Sequence, residues 1–433
     1  MTLFQIGILG CFLLCVFLLT SMPVAFVMAI VGYIGFAIVR TPEAAMSLIT
    51  LDFYDTFSNY SLIVIPLFVL MGQVSFHSGI SRNLFYAAYQ WVGALPGGLA
   101  MATVGACTAF GAICGSGPAT AATMASVALP EMKRYNYSDE LSCGTVASGG
   151  TLAMLIPPSI VFIVYGILTE QSIGKLFISG IMPGLMVSFM FCVMIYFICK
   201  RNPTLGPSGP STTWMEKFAS LKGVFDTGLM FILVIGGMFL GVFTATEAAA
   251  AGAAGSIAIS VCRRKLSWKM FIQSLMETIR TSCMIMIIVA GAIVFGHFLA
   301  VTQLPSSLAS LLAGLPSPGW VIITFIMIFY LIAGCFVDAL ALVFLTVPIF
   351  YPVVQQLHYD PIWFGVMIVL VTQMGVITPP VGVCVYVVSG IARDVPMQTI
   401  FKGSMPFLYI LIIATAIIMF FPKIALFLPN LVN

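Results

Sequence analysis

From Thr281 to Ala392 the chain has neither lysine nor arginine, and near the end of that run Thr378-Pro379-Pro380 interrupts a strongly apolar stretch. A stretch so long without cations cannot form a soluble surface, and consecutive prolines cannot continue one helix. A second break, Ile156-Pro157-Pro158, lies 222 positions earlier. Duplicated apolar units broken at corresponding places are the best sequence pointer to a secondary transporter and its binding site.

Composition places both units in lipid. The 433 residues are 61% hydrophobic and 7% charged, with a mean hydropathy of +1.13, too little polar surface for a soluble protein of this size. The apolar segments can supply about ten to twelve crossings of ~20 residues each. Several are too long or too short for one clean span, as expected where unwound backbone lies inside protein or beside water. Leu3 to Val39 is too long for a cleavable leader and reads as two retained helices joined near Ser21-Met22-Pro23.

Other chemistries find no support. The 11 cysteines form no C-x-x-C pair, and the three histidines are far apart in sequence. The glycines of Met101 to Thr123 lack the lysine of a phosphate loop, and no nucleophile elbow, zinc-protease motif or paired acids appear. We expect neither an enzyme, nor a bound cofactor, nor a nucleic-acid partner. Transport would have to draw on an ion gradient.

The halves register at several points. Tyr137 pairs with Tyr359, Gly180 with Gly403, Met182-Pro183 with Met405-Pro406, and Leu95-Pro96 with Leu315-Pro316, at offsets of 220 to 223. Lys133-Arg134 follows Pro130, whereas the counterpart after Pro348 holds no cation and one acid, Asp360, so the copies face opposite ways. Basic loops at Lys133, Lys200, Arg263 and Arg393 all fall on the cytoplasmic side only if Pro96 to Pro130 and Pro316 to Pro348 enter and return on one side. The expected fold is an all-α polytopic membrane protein of inverted-repeat type. Residues 1–60 would be N-terminal scaffold helices. Residues 61–199 would form the first repeat, with a hairpin at about 97–130 and a broken helix at about 141–168. Residues 200–280 would make a cytoplasmic connection and scaffold pair. Residues 281–433 would form the second repeat, with a hairpin at about 317–348 and a broken helix at about 362–390.

The first hairpin turns at Gly115-Ser116-Gly117-Pro118-Ala119-Thr120-Ala121-Ala122-Thr123. Such a tip offers carbonyls to a cation and helix N-terminal amides to an anion, although small residues also serve simple close packing. In Ser148-Gly149-Gly150-Thr151 through Ile156-Pro157-Pro158-Ser159 the prolines free carbonyls one turn back, and the glycines allow unwinding. Neutral oxygens of this kind suit sodium; a kink without a ligand is the plainer alternative. Asp338 is the only acid between His297 and His358, and reads as a cation ligand, a helix N-cap, or both. Thr244-Ala245-Thr246-Glu247 reads as a capping box, with a functional acid at Glu247 as the alternative. Glu43, Asp52 and Asp55 read as solvated residues of a loop before Tyr60, with contact to a partner as the alternative.

Together, Gly115 to Ala122, Leu155 to Ser159, Thr244 to Ala249 and Gly375-Val376-Ile377-Thr378-Pro379-Pro380 resemble the large membrane subunit of a tripartite ATP-independent periplasmic (TRAP) transporter, within the ion transporter superfamily. The resemblance covers essentially the whole chain. It implies an elevator, in which both hairpins and both broken helices slide against a scaffold. It implies sodium at Ser116, Gly149, Gly150 and Pro157 in one site and at Asp338, Gly375 and Thr378 in the other. Ser116, Thr120, Thr123 and Ser159 would hold the substrate carboxylate. The implied setting is the bacterial inner membrane. The implied partners are a four-helix small membrane subunit, expected as a separate chain, and a periplasmic binding protein that delivers an organic acid such as sialic acid or a C4-dicarboxylate. Leu3 to Val39 and Phe191 to Cys199 are the expected contacts for the small subunit. A binding-protein-independent sodium/carboxylate symporter, and a structural or ion-conducting subunit of a membrane complex, remain alternatives.

Overall fold

The computed structural model describes residues 2–431 other than 19, 21, 211, 315 and 316, with the backbone alone at 312 and 313. Ser21 and the Leu315-Pro316 pair therefore lie outside the described residues. Among the described residues all regular structure is helical, the form in which an apolar segment satisfies its own backbone polar groups. The first segment divides into Leu3–Leu18 and Val24–Val39, with Pro23 directly ahead of the second helix, where its missing donor costs nothing.

Among the described residues six helices are long and apolar enough to cross a bilayer: Tyr60–His77, Ile173–Arg201, Ala245–Cys262, Trp268–Thr302, Ala339–Gln356 and Met397–Phe420. A bent pair, Trp214–Gly223 with Phe225–Phe239 at 53°, makes a seventh. The count falls below the ten to twelve crossings expected because glycine and proline cut the other apolar segments into helices of 10–17 residues.

The short helices pair in a repeated way. Gly98–Cys114 and Gly117–Arg134 form a hairpin: the Leu99 amide donates to the Tyr137 hydroxyl at 3.1 Å, which brings the start of one arm beside the end of the other. In Gly319–Gly334 and Ala339–Gln356 the same closure recurs, with the Tyr359 ring 3.1 Å from where a Cβ on Gly319 would stand. Each hairpin is followed by a broken helix. The first runs Asp139–Thr151, turns through Leu152–Met154 and resumes at Ile160–Thr169; the second runs Pro361–Gly375 and resumes at Val383–Ile391. Both Pro-Pro peptide bonds are cis.

The halves interlock through missing side chains. A Cβ on Gly403, in Met397–Phe420, would collide with the Glu140 carbonyl oxygen, so this helix rides directly on the first broken helix. The Tyr165 hydroxyl donates to the Pro361 carbonyl at 2.6 Å, joining the two broken helices. In a second group, Val24–Val39 and Tyr60–His77 pack along Trp268–Thr302, and Ala245–Cys262 packs on Tyr60–His77. Gly32 lets the first of these reach the Phe295 backbone, since a Cβ there would stand 2.8 Å from Phe295 N.

Three local expectations meet the structure. Thr244 and Glu247 form the full capping box at the start of Ala245–Cys262. Residues 42–58 are a helix rather than a loop, and Asp52 is buried with its carboxylate 3.1 Å from His297 Nδ1, because a helix that packs on Trp268–Thr302 turns one acid inward. Glu43 and Asp55 are exposed. Within Phe191 to Cys199 the residues Phe191, Ile195 and Cys199 are buried in this chain, which leaves Phe197 as the strongly exposed apolar side chain there.

Candidate functional site

At the first tip the chain reverses over two residues. Gly115 takes a left-handed conformation at φ 64°, which glycine adopts without penalty. Ser116 then occupies the N-cap position of the second arm without spending its hydroxyl on the helix. The tip docks on the first break, where the Ile160 amide donates to the Gly115 carbonyl at 3.4 Å. One turn along the arm, a Cβ on Gly150 would stand 2.7 Å from the Ala121 side chain and 2.9 Å from its backbone. The tip and the broken helix therefore meet main chain to main chain.

Unwinding starts later than the glycines suggest. Gly149 and Gly150 remain in the helix that ends at Thr151, and their carbonyls both receive the Leu152 amide. The prolines act one turn back, on Ala153 and Met154, whose carbonyls lose their helical donors. Met154 recovers one from the Ser159 hydroxyl, and Ser159 also accepts from the Phe162 amide at 3.5 Å as the cap of the resumed helix. Residues 151 to 165 are all buried.

The second half-site has the same plan with a different surface. The Val381 amide donates to the Cys335 carbonyl at 3.3 Å, the counterpart of the Ile160–Gly115 bond. Thr378 is half-buried and donates its hydroxyl to the Met374 carbonyl at 2.6 Å, while its amide reaches the Gly375 carbonyl at 3.2 Å. Asp338 caps the second arm by accepting from the Leu340 amide at 3.1 Å, and the residue is exposed. Phe336 at 63% and Val381 at 43% exposure leave this tip open, whereas the first is covered.

The two halves approach each other at Cys384. A Cβ on Gly117 would lie 3.1 Å from Met154 Sδ and 3.6 Å from Cys384 Sγ. Nearby in sequence to the second break, Gln373 is fully buried with neither end of its amide hydrogen-bonded within the protein, and the Ser148 hydroxyl is in the same condition. Buried polar groups in this state are unusual and call for a partner. Gln373 is the amide in a run from Trp363 to Met374 that is otherwise apolar except for Thr372, a signal the proline motif overshadows.

Beside the first tip lies a cavity of about 240 Å³. Ser116, Ala119 and Thr123 form one wall; Gln73 and Phe76, from Tyr60–His77, and Glu277, from Trp268–Thr302, form the other. Thr120 and Ser159 are fully buried and do not line it. Glu277 is placed by His77 Nε2 at 3.2 Å and by the Gln273 amide at 3.0 Å. The sequence motifs contain none of Gln73, His77 or Glu277.

The chain matches a known family. Residues 11–424 match the model of the tripartite ATP-independent periplasmic transporter, DctM component. The chain belongs to this family. It is 36% identical over 391 residues to the C4-dicarboxylate TRAP transporter large permease protein DctM of Pseudomonas aeruginosa, covering 90% of this chain and 91% of that one. It is 34% identical over 415 residues to the sialic acid TRAP transporter large permease protein SiaM of Vibrio cholerae, covering 96% of each. In fold it is similar to the YdaH transporter of Alcanivorax borkumensis, with a TM-score of 0.53 and 13% identity over 87% of this chain and 88% of that one. As a TRAP large permease, the chain is a multi-pass protein of the bacterial inner membrane.

Proposed function

We propose that this TRAP large permease takes up an organic acid by sodium-coupled symport, with the acid delivered by a periplasmic binding protein and a four-helix small subunit bracing the complex. Two mirrored hydrogen bonds support it above all, Gly115 to Ile160 and Cys335 to Val381, which hold each hairpin tip against the unwound part of a broken helix. Each pairing sets hydroxyls and main-chain oxygens beside a helix N-terminus, a chemistry suited to a hard cation and a carboxylate together.

In this reading the hairpins are re-entrant. Sodium binds at Ser116 with main-chain oxygens near Gly149, Gly150 and Pro157, and again at Asp338 with Gly375 and Thr378. No tightly bound cofactor is required. The substrate carboxylate meets the Ser116 and Thr123 face of the cavity, while Thr120 and Ser159 support the tip from within. Hairpins and broken helices move as one body against Val24–Val39, Tyr60–His77, Ala245–Cys262 and Trp268–Thr302. The small subunit covers the exposed apolar residues of Leu3–Leu18 and Val24–Val39, among them Phe12 and Ile38.

The acids named for the relatives, C4-dicarboxylates and sialic acid, set the class to try first. The test is uptake into proteoliposomes holding the chain and its small subunit, with cognate binding protein outside. Uptake should require an inward sodium gradient and the binding protein. Equal uptake with potassium in place of sodium would refute the coupling.

A further inference from the structure

Glu277 stands out because neither sodium site nor carboxylate recognition explains it. Its side chain is 38% exposed, it lines the cavity beside the first tip, and no lysine, arginine or histidine shares that lining. His77, 11% exposed, sits behind it rather than in the cavity. His77 Nε2 stands 3.2 Å from one carboxylate oxygen, and the Gln273 amide holds the other. Arg280, one turn further along the same helix, is exposed, outside the lining and not paired with Glu277. The cavity lining therefore carries one carboxylate and no lysine, arginine or histidine, with Ser116 and Thr123 on the wall of the hairpin tip.

We propose that Glu277 is a specificity-determining residue that makes this cavity favour organic acids carrying a cationic nitrogen over bare dicarboxylates. The assignment rests on reading the cavity as the substrate's. An amino or other zwitterionic acid can set its carboxylate at the tip and its positive nitrogen at Glu277. A dicarboxylate of the same length would bring its second anion against the Glu277 carboxylate, with no cationic side chain in the cavity lining to receive it. Gln73, with donor and acceptor on one amide, accommodates either end and does not discriminate.

The test reads the charge preference of the cavity without needing the natural substrate. In the chain purified with its small subunit in nanodiscs, Ala119→Cys places a thiol in the lining. Its modification by 2-(trimethylammonium)ethyl and by 2-sulfonatoethyl methanethiosulfonate is followed by site-resolved mass spectrometry, so that native cysteines do not contribute. With Glu277 present the cationic reagent should gain about tenfold or more over the anionic one, relative to N-acetylcysteine in solution, as a focused field in a cleft produces. Glu277→Asp should keep the gain, and Glu277→Gln should bring it to within about twofold of N-acetylcysteine. A ratio no greater than that of N-acetylcysteine, a ratio unchanged in E277Q, or no modification by either reagent would each overturn the proposal. If E277Q does not assemble, the ratios with Glu277 and with E277D decide alone. Labelling requires neither sodium nor transport, so its failure is distinguishable from failure of the sodium-coupled uptake assay.

Discussion

Gly375 and Gly334 meet backbone to backbone: a methyl group on Gly375 would stand 2.6 Å from the Gly334 carbonyl carbon and oxygen. Main-chain atoms cannot swing aside as a flexible side chain can. Gly375→Ala should therefore push the second hairpin off its broken helix and destabilise the protein by about 1–3 kcal/mol. Gly228, in Phe225–Phe231, has nothing within 4 Å of the same position, and Gly228→Ala should gain about 0.5–1 kcal/mol from helix propensity. Thermal unfolding of the two variants in one detergent checks the contrast, and equal midpoints would contradict it.

Asp338 has two duties that a pair of variants can separate. Its carboxylate caps Ala339–Gln356 through the Leu340 amide, and the proposed function also gives it a sodium ion. Asp338→Asn keeps a good cap and removes the charge, whereas Asp338→Ala removes both and should cost about 1 kcal/mol in stability. Both should abolish sodium-driven uptake, with only the alanine variant losing thermal stability. Ser116→Ala should likewise lose uptake while assembling normally, because Ser116 spends no hydrogen bond on the helix it precedes. Transport undiminished in both D338N and S116A would remove the sodium assignment.

How much of this was legible in the sequence depends on distance along the chain. Prolines and glycines act on their own turn, so the breaks at Pro157-Pro158 and Pro379-Pro380 and the reversal at Gly115 could be read locally. The onset of unwinding could not be placed from Gly149 and Gly150, because proline removes the donor of a carbonyl four residues back and the glycines stay helical. Pairs that join distant helices leave no local trace. His77 and Glu277 are 200 positions apart and Asp52 and His297 are 245 apart, and each acid taken alone looks like a solvated surface residue. Gln373 is illegible for a related reason: only burial reveals that its amide has no hydrogen-bond partner among the described residues.

Lys133 and Asp394 form an ion pair between the end of the first hairpin and the loop after the second broken helix. The hydrogen bond and charge of Lys133 hold the Asp394 carboxyl below its usual range, and Asp394 raises the lysine in return. A carboxyl lowered on folding contributes above its unfolded value, about 3.9, and its contribution fades as pH falls through the lower folded value. A raised lysine contributes below about 10.4 and fades as pH climbs through its higher folded value. The pair should therefore act evenly from about pH 5 to 9. Both groups are largely exposed, and salt should weaken the link. A double-mutant cycle of Lys133→Met and Asp394→Asn, followed by thermal unfolding at several pH values and salt concentrations, checks this. A coupling that changes between pH 6 and 8 would contradict it.

Tyr137 closes the first hairpin with both functions of one hydroxyl, accepting from the Leu99 amide at 3.1 Å and donating to the Pro207 carbonyl at 2.8 Å. The Leu99 amide opens Gly98–Cys114, where the first turn has no helical acceptor of its own. Phenylalanine at 137 would fill the same space and leave this buried amide without a partner, at a cost of about 1–3 kcal/mol. The counterpart Tyr359 is a half-buried ring that meets Gly319 by contact and stacks on Trp363, with centroids 5.1 Å apart, so its phenylalanine variant loses little. Tyr137→Phe should therefore lower the unfolding midpoint and speed amide exchange at Leu99, while Tyr359→Phe leaves both near their starting values. Hydrogen exchange resolved to the 98–114 arm separates the two, and identical protection in the two variants would show that the hydroxyl does not hold the hairpin closed.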